Sequence, residues 1–323
     1  MKPLVDVHLT PDHLKEYLKA DVAAGLAATP KELPPKWFYD QRGSDLFERI
    51  TRLPEYYPTR RERSILEERA DFVAHFTGAD TVVELGSGAS DKTRLLLDAF
   101  HKIGTLVRFV PFDVCEPALR RAATTLAGAY PDTEVHAVVG DFEHNLGDIP
   151  TGGRRLVVFL GGTIGNLAPA ARAEFLASLS ATMDEGDALL LGTDLVKSEH
   201  RLLAAYDDGD GLTAEFNRNV LRVINRELHA NFAPERFGHV VRWDPEREWI
   251  EMWLRADEAE EVVIDDLAGL LVRFETAETM RTEISAKFRR SGVEEELGGA
   301  NLALGRWWTD ADGDFALSLS FRE

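Results

Sequence analysis

Between residues 81 and 196 the chain alternates short apolar runs with stretches of helical spacing, and no other feature restricts its fold as much. The runs are TVVELG, RFVPFDV, EVHAVV, RRLVVFLG and DALLLGTDLV, with helical stretches starting near Lys92, Pro117 and Pro169 between them. Such alternation predicts a parallel sheet with helices on both faces. With 44% hydrophobic residues, the 323-residue chain has enough apolar material for a sizeable core and is long enough for two domains.

The flanks differ in style. Thr10 and Pro11 read as the start of an amphipathic helix with apolar positions at Leu14, Tyr17, Leu18, Val22 and Leu26. An aromatic, proline-broken segment follows, and then a helix near residues 61 to 76. After residue 196 comes a helical stretch, GLTAEFNRNVLRVINREL, and then strand-like runs HVVRW, WIEMWLRA, EEVVID and LLVRF, which suggest an α+β insertion with an antiparallel sheet. The chain ends in two short strands joined by Ala311-Asp312-Gly313, a hairpin signal. A doubly wound sheet ending in such a hairpin is the arrangement of Rossmann-like class I methyltransferases. The expected fold is therefore α/β, with that sheet built from residues 61–196 and 287–323. A second, discontinuous α+β domain, expected to bind substrate, takes residues 1–60 and 197–286.

Gly86-Ser87-Gly88 follows the first strand and precedes a helix, where the backbone must turn sharply and approach a ligand without Cβ atoms in the way. Alone, this could be a structural turn. A dinucleotide fingerprint needs a third small residue where the helix meets the pyrophosphate, yet that position is Asp91, which repels phosphate. S-adenosylmethionine carries a sulfonium and an ammonium and no phosphate, so acidic residues near the loop suit it. Asp113, ending the second strand, is placed to accept from both ribose hydroxyls. After the third strand, Asp141 fits the adenine amine and Phe142 the ring face.

Bulk properties exclude several classes. A net charge of −19, from 56 acidic and 37 basic residues, is opposite to the footprint of a nucleic-acid binder. The single cysteine, Cys115, rules out an internal disulfide or a thiolate zinc cluster, points to a reducing compartment, and reads as a packed thiol. The N-terminus has no long apolar segment and nowhere do 18 apolar residues run together, so a cytoplasmic protein without membrane contact is expected. The nine histidines lack metal-ligand spacing and no carboxylate cluster suggests a cation site, so no metal is expected.

The motifs PPKWFYD, GSDLFERITRLPEYYPTR, VVELGSGASDKTR, FLGGTIGNL, LGTDLVK, FNRNVL and EISAKF closely resemble the ergothioneine-pathway L-histidine Nα-methyltransferases over nearly the whole chain. The resemblance implies a monomer that converts L-histidine into trimethylated histidine (hercynine), with three S-adenosylmethionine molecules becoming S-adenosylhomocysteine. Matched residue by residue, it assigns histidine binding to Tyr56, Asn166, Tyr206, Glu283 and Ser285, and places Tyr39 near the amino group. It assigns the cofactor to Gly86, Lys92, Asp113, Asp141 and Phe142, with Gly161 beside both ligands. Ala286 stands where relatives often carry a bulkier or thiol residue.

The chemistry is consistent with these residue types. Methyl transfer from sulfur to nitrogen moves a positive charge onto the new ammonium, so alignment of a neutral amine matters more than a protein nucleophile. Asn166 and Tyr39 are the candidates beside the reacting amine. The Asn166 amide can donate to a carboxylate and accept from an amine. Glu283 and Ser285, two apart in an extended segment, share a face and could read the imidazole. Met252 and Trp253 are assigned to packing. Methylation of another small amine or a protein N-terminus, and cofactor sensing without turnover, are the competing readings.

Overall fold

The computed structural model describes residues 2–88 and 92–322, so Asp91, on which the argument against a dinucleotide turns, lies outside the described residues. In chain order the first elements are β1 (Leu4–Val7), α1 (Pro11–Ala27), β2 (Lys31–Glu32), α2 (Gln41–Ile50), α3 (Pro58–Thr77), β3 (Thr81–Leu85) and α4 (Arg94–Lys102). Then come β4 (Arg108–Asp113), α5 (Glu116–Ala129), β5 (Glu134–Val139), β6 (Arg155–Phe159), α6 (Pro169–Thr182), β7 (Ala188–Asp194), α7 (Glu199–Tyr206) and α8 (Leu212–Leu228). The last are β8 (Phe237–Asp244), β9 (Trp249–Ala256), β10 (Glu260–Ile264), β11 (Leu270–Phe274), β12 (Thr279–Ala286), α9 (Arg290–Gly299), β13 (Leu302–Thr309) and β14 (Phe315–Arg322).

Two compact units result: Met1–Leu9, Pro58–Val196 and Phe288–Glu323 form the first, Thr10–Tyr57 and Lys197–Lys287 the second. The first contains an eight-stranded sheet in the order β1-β5-β4-β3-β6-β7-β14-β13, parallel except at β14 and β13. Every residue of β3, β6 and β7 is buried, which is why these strands read as unbroken apolar runs. The chain runs from β3 outward to β4 and β5, then returns to β6 on the other side. The carboxyl ends of β3 and β6 therefore flank the point where the winding reverses, the usual ligand crevice of such sheets.

The division differs from the expected one at the N-terminus. Leu4–Val7 pairs in parallel with His136–Val139, so residues 1–9 belong to the first unit and not with 10–57. A four-residue, largely exposed edge strand carries too little pattern to be read from sequence. The other junctions fall at 57/58, 196/197 and 287/288. Helix α4 starts at Arg94, leaving Lys92 in the turn before it.

In the second unit, β2-β12-β9-β8 form one sheet, while β10 and β11 form a separate two-stranded sheet, with a single bridge from Ile264 to Ala230, instead of joining a common antiparallel sheet. Leu18, Val22 and Leu26 of α1, Phe216, Val220 and Ile224 of α8, and Ile250, Met252 and Leu254 of β9 share one core. Asn219 on α8 is wholly buried and donates to the Phe38 carbonyl and to Asp40 Oδ1 at 3.1 and 2.7 Å. Asp40 in turn caps α2 through the Gly43 amide. Gly43 is obligatory here, because a Cβ would stand 1.7 Å from the Phe38 carbonyl oxygen.

At the amino edge of the first unit's sheet, Arg155 and Asp187 are 2% and 1% exposed and form an ion pair at 2.6 Å. Asp187 also accepts from the amides of Arg155 and Asp184. Asp187→Ala leaves the guanidinium buried without its closest counter-charge, and the expected cost is about 3 to 5 kcal/mol of stability. Urea unfolding checks this, with cofactor affinity in the folded variant expected to be unchanged because the pair lies at the edge opposite the glycine loop.

Candidate active site

Every residue expected to hold the cofactor lies at the carboxyl edge of the first unit's sheet: Gly86 after β3 and Lys92 in the turn between it and α4, Asp113 ending β4, Asp141 and Phe142 after β5, Gly161 after β6. Gly86 and Gly88 have φ of +69° and +49°, and a Cβ on either would meet nothing within 4 Å, so the loop faces open space. Asp113 clasps this loop. Its Oδ2 accepts from the Gly88 amide and its Oδ1 from the Cys115 amide, each at 2.9 Å, which leaves lone pairs for ribose hydroxyls. Burial raises the Asp113 pKa above the usual carboxylate value, against the lowering effect of these amides.

Asp141 is 5% exposed and one of its oxygens accepts from the Glu143 amide at 2.9 Å. The Phe142 ring stands edge-on to Phe159 and Phe175 at 5.7 and 5.6 Å, which fixes its plane. Asn166 ends a short 3-10 turn, Thr163–Asn166, beyond β6, half-buried and on the same sheet edge.

One participant was not visible in the sequence. Glu62 on α3 is fully buried, accepts from the Gly161 amide at 2.8 Å and is ion-paired with Lys92. Gly192 in β7 makes room for it, since a Cβ there would lie 2.2 Å from Glu62 Oε1. Lys92 therefore does not simply project toward a ligand; a carboxylate beneath it fixes its ammonium. As a polar position on a helix, Glu62 gives no sign in the sequence of which way it faces.

The remaining expected residues belong to the second unit. Tyr39 lies between Phe38 and Asp40, both held by Asn219, with its ring edge-on to Phe47 and Phe216. Desolvation, and then the negative charge of Glu283, raise the Tyr39 pKa, so it keeps its proton. Tyr56 packs edge-on to Phe47 and to Tyr206, at 5.9 and 6.4 Å. The Tyr206 hydroxyl lies 2.7 Å from Ser285 Oγ.

Strand β12 carries a bulge that decides which face Glu283 presents. Arg281 pairs with Trp253, but Glu283 pairs with Met252, so Thr282 is an inserted residue. In an unbroken ladder Glu283 would oppose Glu251 on the other face. The insertion instead puts Glu283 and Ser285 on the side of Met252 and Ile250, whose side chains belong to the core. Met252, assigned to packing, is 1% exposed and directly opposite Glu283, while Trp253 turns away and donates its indole N–H to Glu251.

The bulged Thr282 donates to Asn217 Oδ1 at 2.6 Å. Asn217 Nδ2 faces His239 Nδ1 at 2.8 Å, and His239 Nε2 faces the Tyr206 carbonyl at 2.9 Å. The carbonyl can only accept, so a proton sits on Nε2; the Asn217 amide nitrogen can only donate, so Nδ1 keeps its lone pair and the ring is neutral. Burial depresses the His239 pKa below the ordinary imidazole value. Asn217 and His239 were not anticipated as contributors; motif FNRNVL flagged only the segment.

Three carboxylates that the sequence reading passed over, Asp310, Asp312 and Asp314, come together at the turn between β13 and β14. The Arg61 guanidinium lies among them, with Nε 3.1 Å from Asp314 and 3.6 Å from Asp310, and is also paired with Asp312.

Two outcomes are expected from this geometry. Asp113→Ala weakens S-adenosylhomocysteine binding by about 1.5 to 3 kcal/mol in calorimetry, through loss of a charged acceptor. Because His239 is depressed, the unfolded chain takes up its proton first as pH falls below about 6.5, and stability is lost as pH drops from there toward the folded pKa. Urea midpoints between pH 7.5 and 5.5 should therefore fall more steeply for the native chain than for His239→Gln, which cannot titrate.

Residues 18–322 match a family described as histidine-specific methyltransferase, SAM-dependent. A histidine N-alpha-methyltransferase of Mycolicibacterium smegmatis is 57% identical over 315 residues, 98% of each chain. One of Mycobacterium tuberculosis is 56% identical over 320 residues, 99% of each. Ergothioneine biosynthesis protein 1 of Schizosaccharomyces pombe is 33% identical over 215 residues, 63% of this chain and 28% of that protein. With a family match over residues 18–322 and relatives more than half identical over 98% and 99% of the chain, this protein belongs to the histidine-specific, S-adenosylmethionine-dependent methyltransferase family.

Proposed function

We propose that the protein transfers methyl groups from S-adenosylmethionine to the α-amino group of L-histidine, three times, giving hercynine in ergothioneine biosynthesis and releasing S-adenosylhomocysteine. The observation that carries this reading is the polar group on one face of the second unit: Glu283 and Ser285, both turned to the core-facing side by the bulge, with the Tyr206 hydroxyl 2.7 Å from Ser285 and the Glu283 charge acting on Tyr39. A carboxylate beside a hydroxyl matches an imidazole, which has one N–H to donate and one nitrogen lone pair to fill. The names of the mycobacterial and fission-yeast relatives agree with this substrate and pathway.

In this reading Gly86, Lys92, Asp113, Asp141, Phe142 and Gly161 hold the methyl donor, whose sulfonium supplies the transferable group. Tyr56, Asn166 and Tyr206 hold the amino acid, and Asn166 and Tyr39 orient its amine. Before each transfer the nitrogen loses a proton, its lone pair takes the methyl, and the S–CH3 electron pair returns to sulfur. The positive charge ends on nitrogen. Tyr39, kept protonated, is a donor and not the base. We read the enzyme as a cytoplasmic monomer that uses neither metal, membrane nor nucleic acid; the charge of −19 supports the last point. Among the described residues no helix is long and apolar enough to cross a membrane.

Mass spectrometry of reactions with histidine, other amino acids and short peptides tests the substrate: mono-, di- and trimethylated histidine should appear, with little turnover of the rest. Glu283→Ala should lower kcat/KM for histidine roughly 10- to 150-fold, the loss of one charge-assisted hydrogen bond, and leave S-adenosylmethionine affinity within a factor of a few. A variant with undiminished histidine selectivity would remove Glu283 from the role of imidazole reader.

A further inference from the structure

Lys287 is 3% exposed at the end of the EISAK segment, and none of the substrate or cofactor assignments above uses it. A lysine this deeply buried is uncommon unless something holds its charge. Its Nζ donates to Ser285 Oγ at 2.7 Å and to the Tyr206 hydroxyl at 2.9 Å, and stands 4.7 Å from the centre of the Tyr206 ring, a cation–π distance. With the 2.7 Å contact between the two hydroxyls, the three groups close a ring of hydrogen bonds.

The directions of the two lysine bonds follow from donor inventory, and that of the bond between the hydroxyls is assigned from their acidity. An ammonium has donors only, so both oxygens must accept from it. Between the hydroxyls, the phenol is the stronger acid and donates to the serine. Ser285 Oγ then accepts twice, from Lys287 and from Tyr206, and both its lone pairs are occupied. Its remaining capacity is one O–H donor. Two residues earlier on the same face, Glu283 is a carboxylate and offers acceptors only.

We infer that Lys287 is a specificity-determining positioning residue: by filling the Ser285 lone pairs it makes Ser285 an obligate donor, so that Glu283 and Ser285 together select a neutral imidazole, one nitrogen bearing hydrogen and the other a lone pair. This rests on the histidine reading above. Without Lys287, Ser285 has a free lone pair, can rotate to accept instead, and no longer distinguishes a ring nitrogen from a C–H.

The test compares L-histidine with β-(pyrrol-2-yl)alanine and β-(pyrrol-3-yl)alanine. Each keeps a single N–H and places a C–H where histidine carries its lone pair, and the two cover both ring orientations. The native enzyme should favour histidine over the better pyrrole by about 10- to 100-fold in kcat/KM. In Lys287→Met that ratio should fall to within a few-fold through a higher KM for histidine, with S-adenosylmethionine affinity preserved. Ser285→Ala should collapse the ratio equally, and the double variant should be no worse than either single one, because Lys287 acts through Ser285. A Lys287→Met enzyme that keeps the full ratio, or losses that add in the double variant, would overturn the role of Lys287 alone. A native enzyme that fails to turn over histidine would overturn the substrate reading and this inference with it.

Discussion

Side chains of a strand alternate between faces, and one inserted residue reverses them. The arrangement of the second unit depends on this at Thr282. Before the bulge, Met280 faces the core and Arg281 the opposite side; after it, Glu283 and Ser285 take the core-facing side. The inserted residue has its own partner, because its hydroxyl donates to the wholly buried Asn217. Asn217 orients His239, and His239 holds the carbonyl of Tyr206, whose hydroxyl meets Ser285. A local irregularity in one strand is thereby tied to three other elements, and each buried polar atom along this path finds a partner of the right sense.

The first unit follows a different rule. Its ligand edge is made where backbone turns away from strand ends, and carboxylates, one half-buried and one fully buried, hold those turns. Asp113 holds the amides of Gly88 and Cys115; Glu62 holds the Gly161 amide and the Lys92 ammonium. Keeping two carboxylates in a desolvated place is costly unless their acceptors are used. Fixed in advance, the loop need not reorganise when a ligand with hydroxyl and ammonium donors arrives.

Much of this was legible in the sequence, for physical reasons. Strands buried on both faces leave unbroken apolar runs, so β3, β4, β6 and β7 were evident, as were the glycines with φ that other residues rarely adopt. The acid ending β4 followed from its place in that pattern. What stayed hidden depends on contacts between distant residues. Glu62 looks like any helix glutamate until Gly192, 130 positions away, is seen to leave space for it. The bulge has no signature in TEISAKF, and an unbroken strand would also have put Glu283 and Ser285 on one face, but the opposite one. The edge strand Leu4–Val7 escaped because four residues carry little pattern. The carboxylates at 310, 312 and 314 read as a turn, and their pairing with Arg61 is a matter of tertiary structure.

The position of β14 bears on biosynthesis. It lies inside the sheet, between β7 and β13, although it is made after both. A growing chain that has already formed β3 through β7 exposes the hydrogen-bonding edge of β7 until Phe315–Arg322 is available, and an open edge on a strand that is wholly buried in the finished sheet invites pairing with other chains. Loss of a handful of residues near position 320 thus uncovers β7 and takes from β13 its partner in the sheet, instead of merely trimming the rim. During synthesis the interval between β7 and β14 is filled by the second unit's long segment, so protection of the β7 edge comes late.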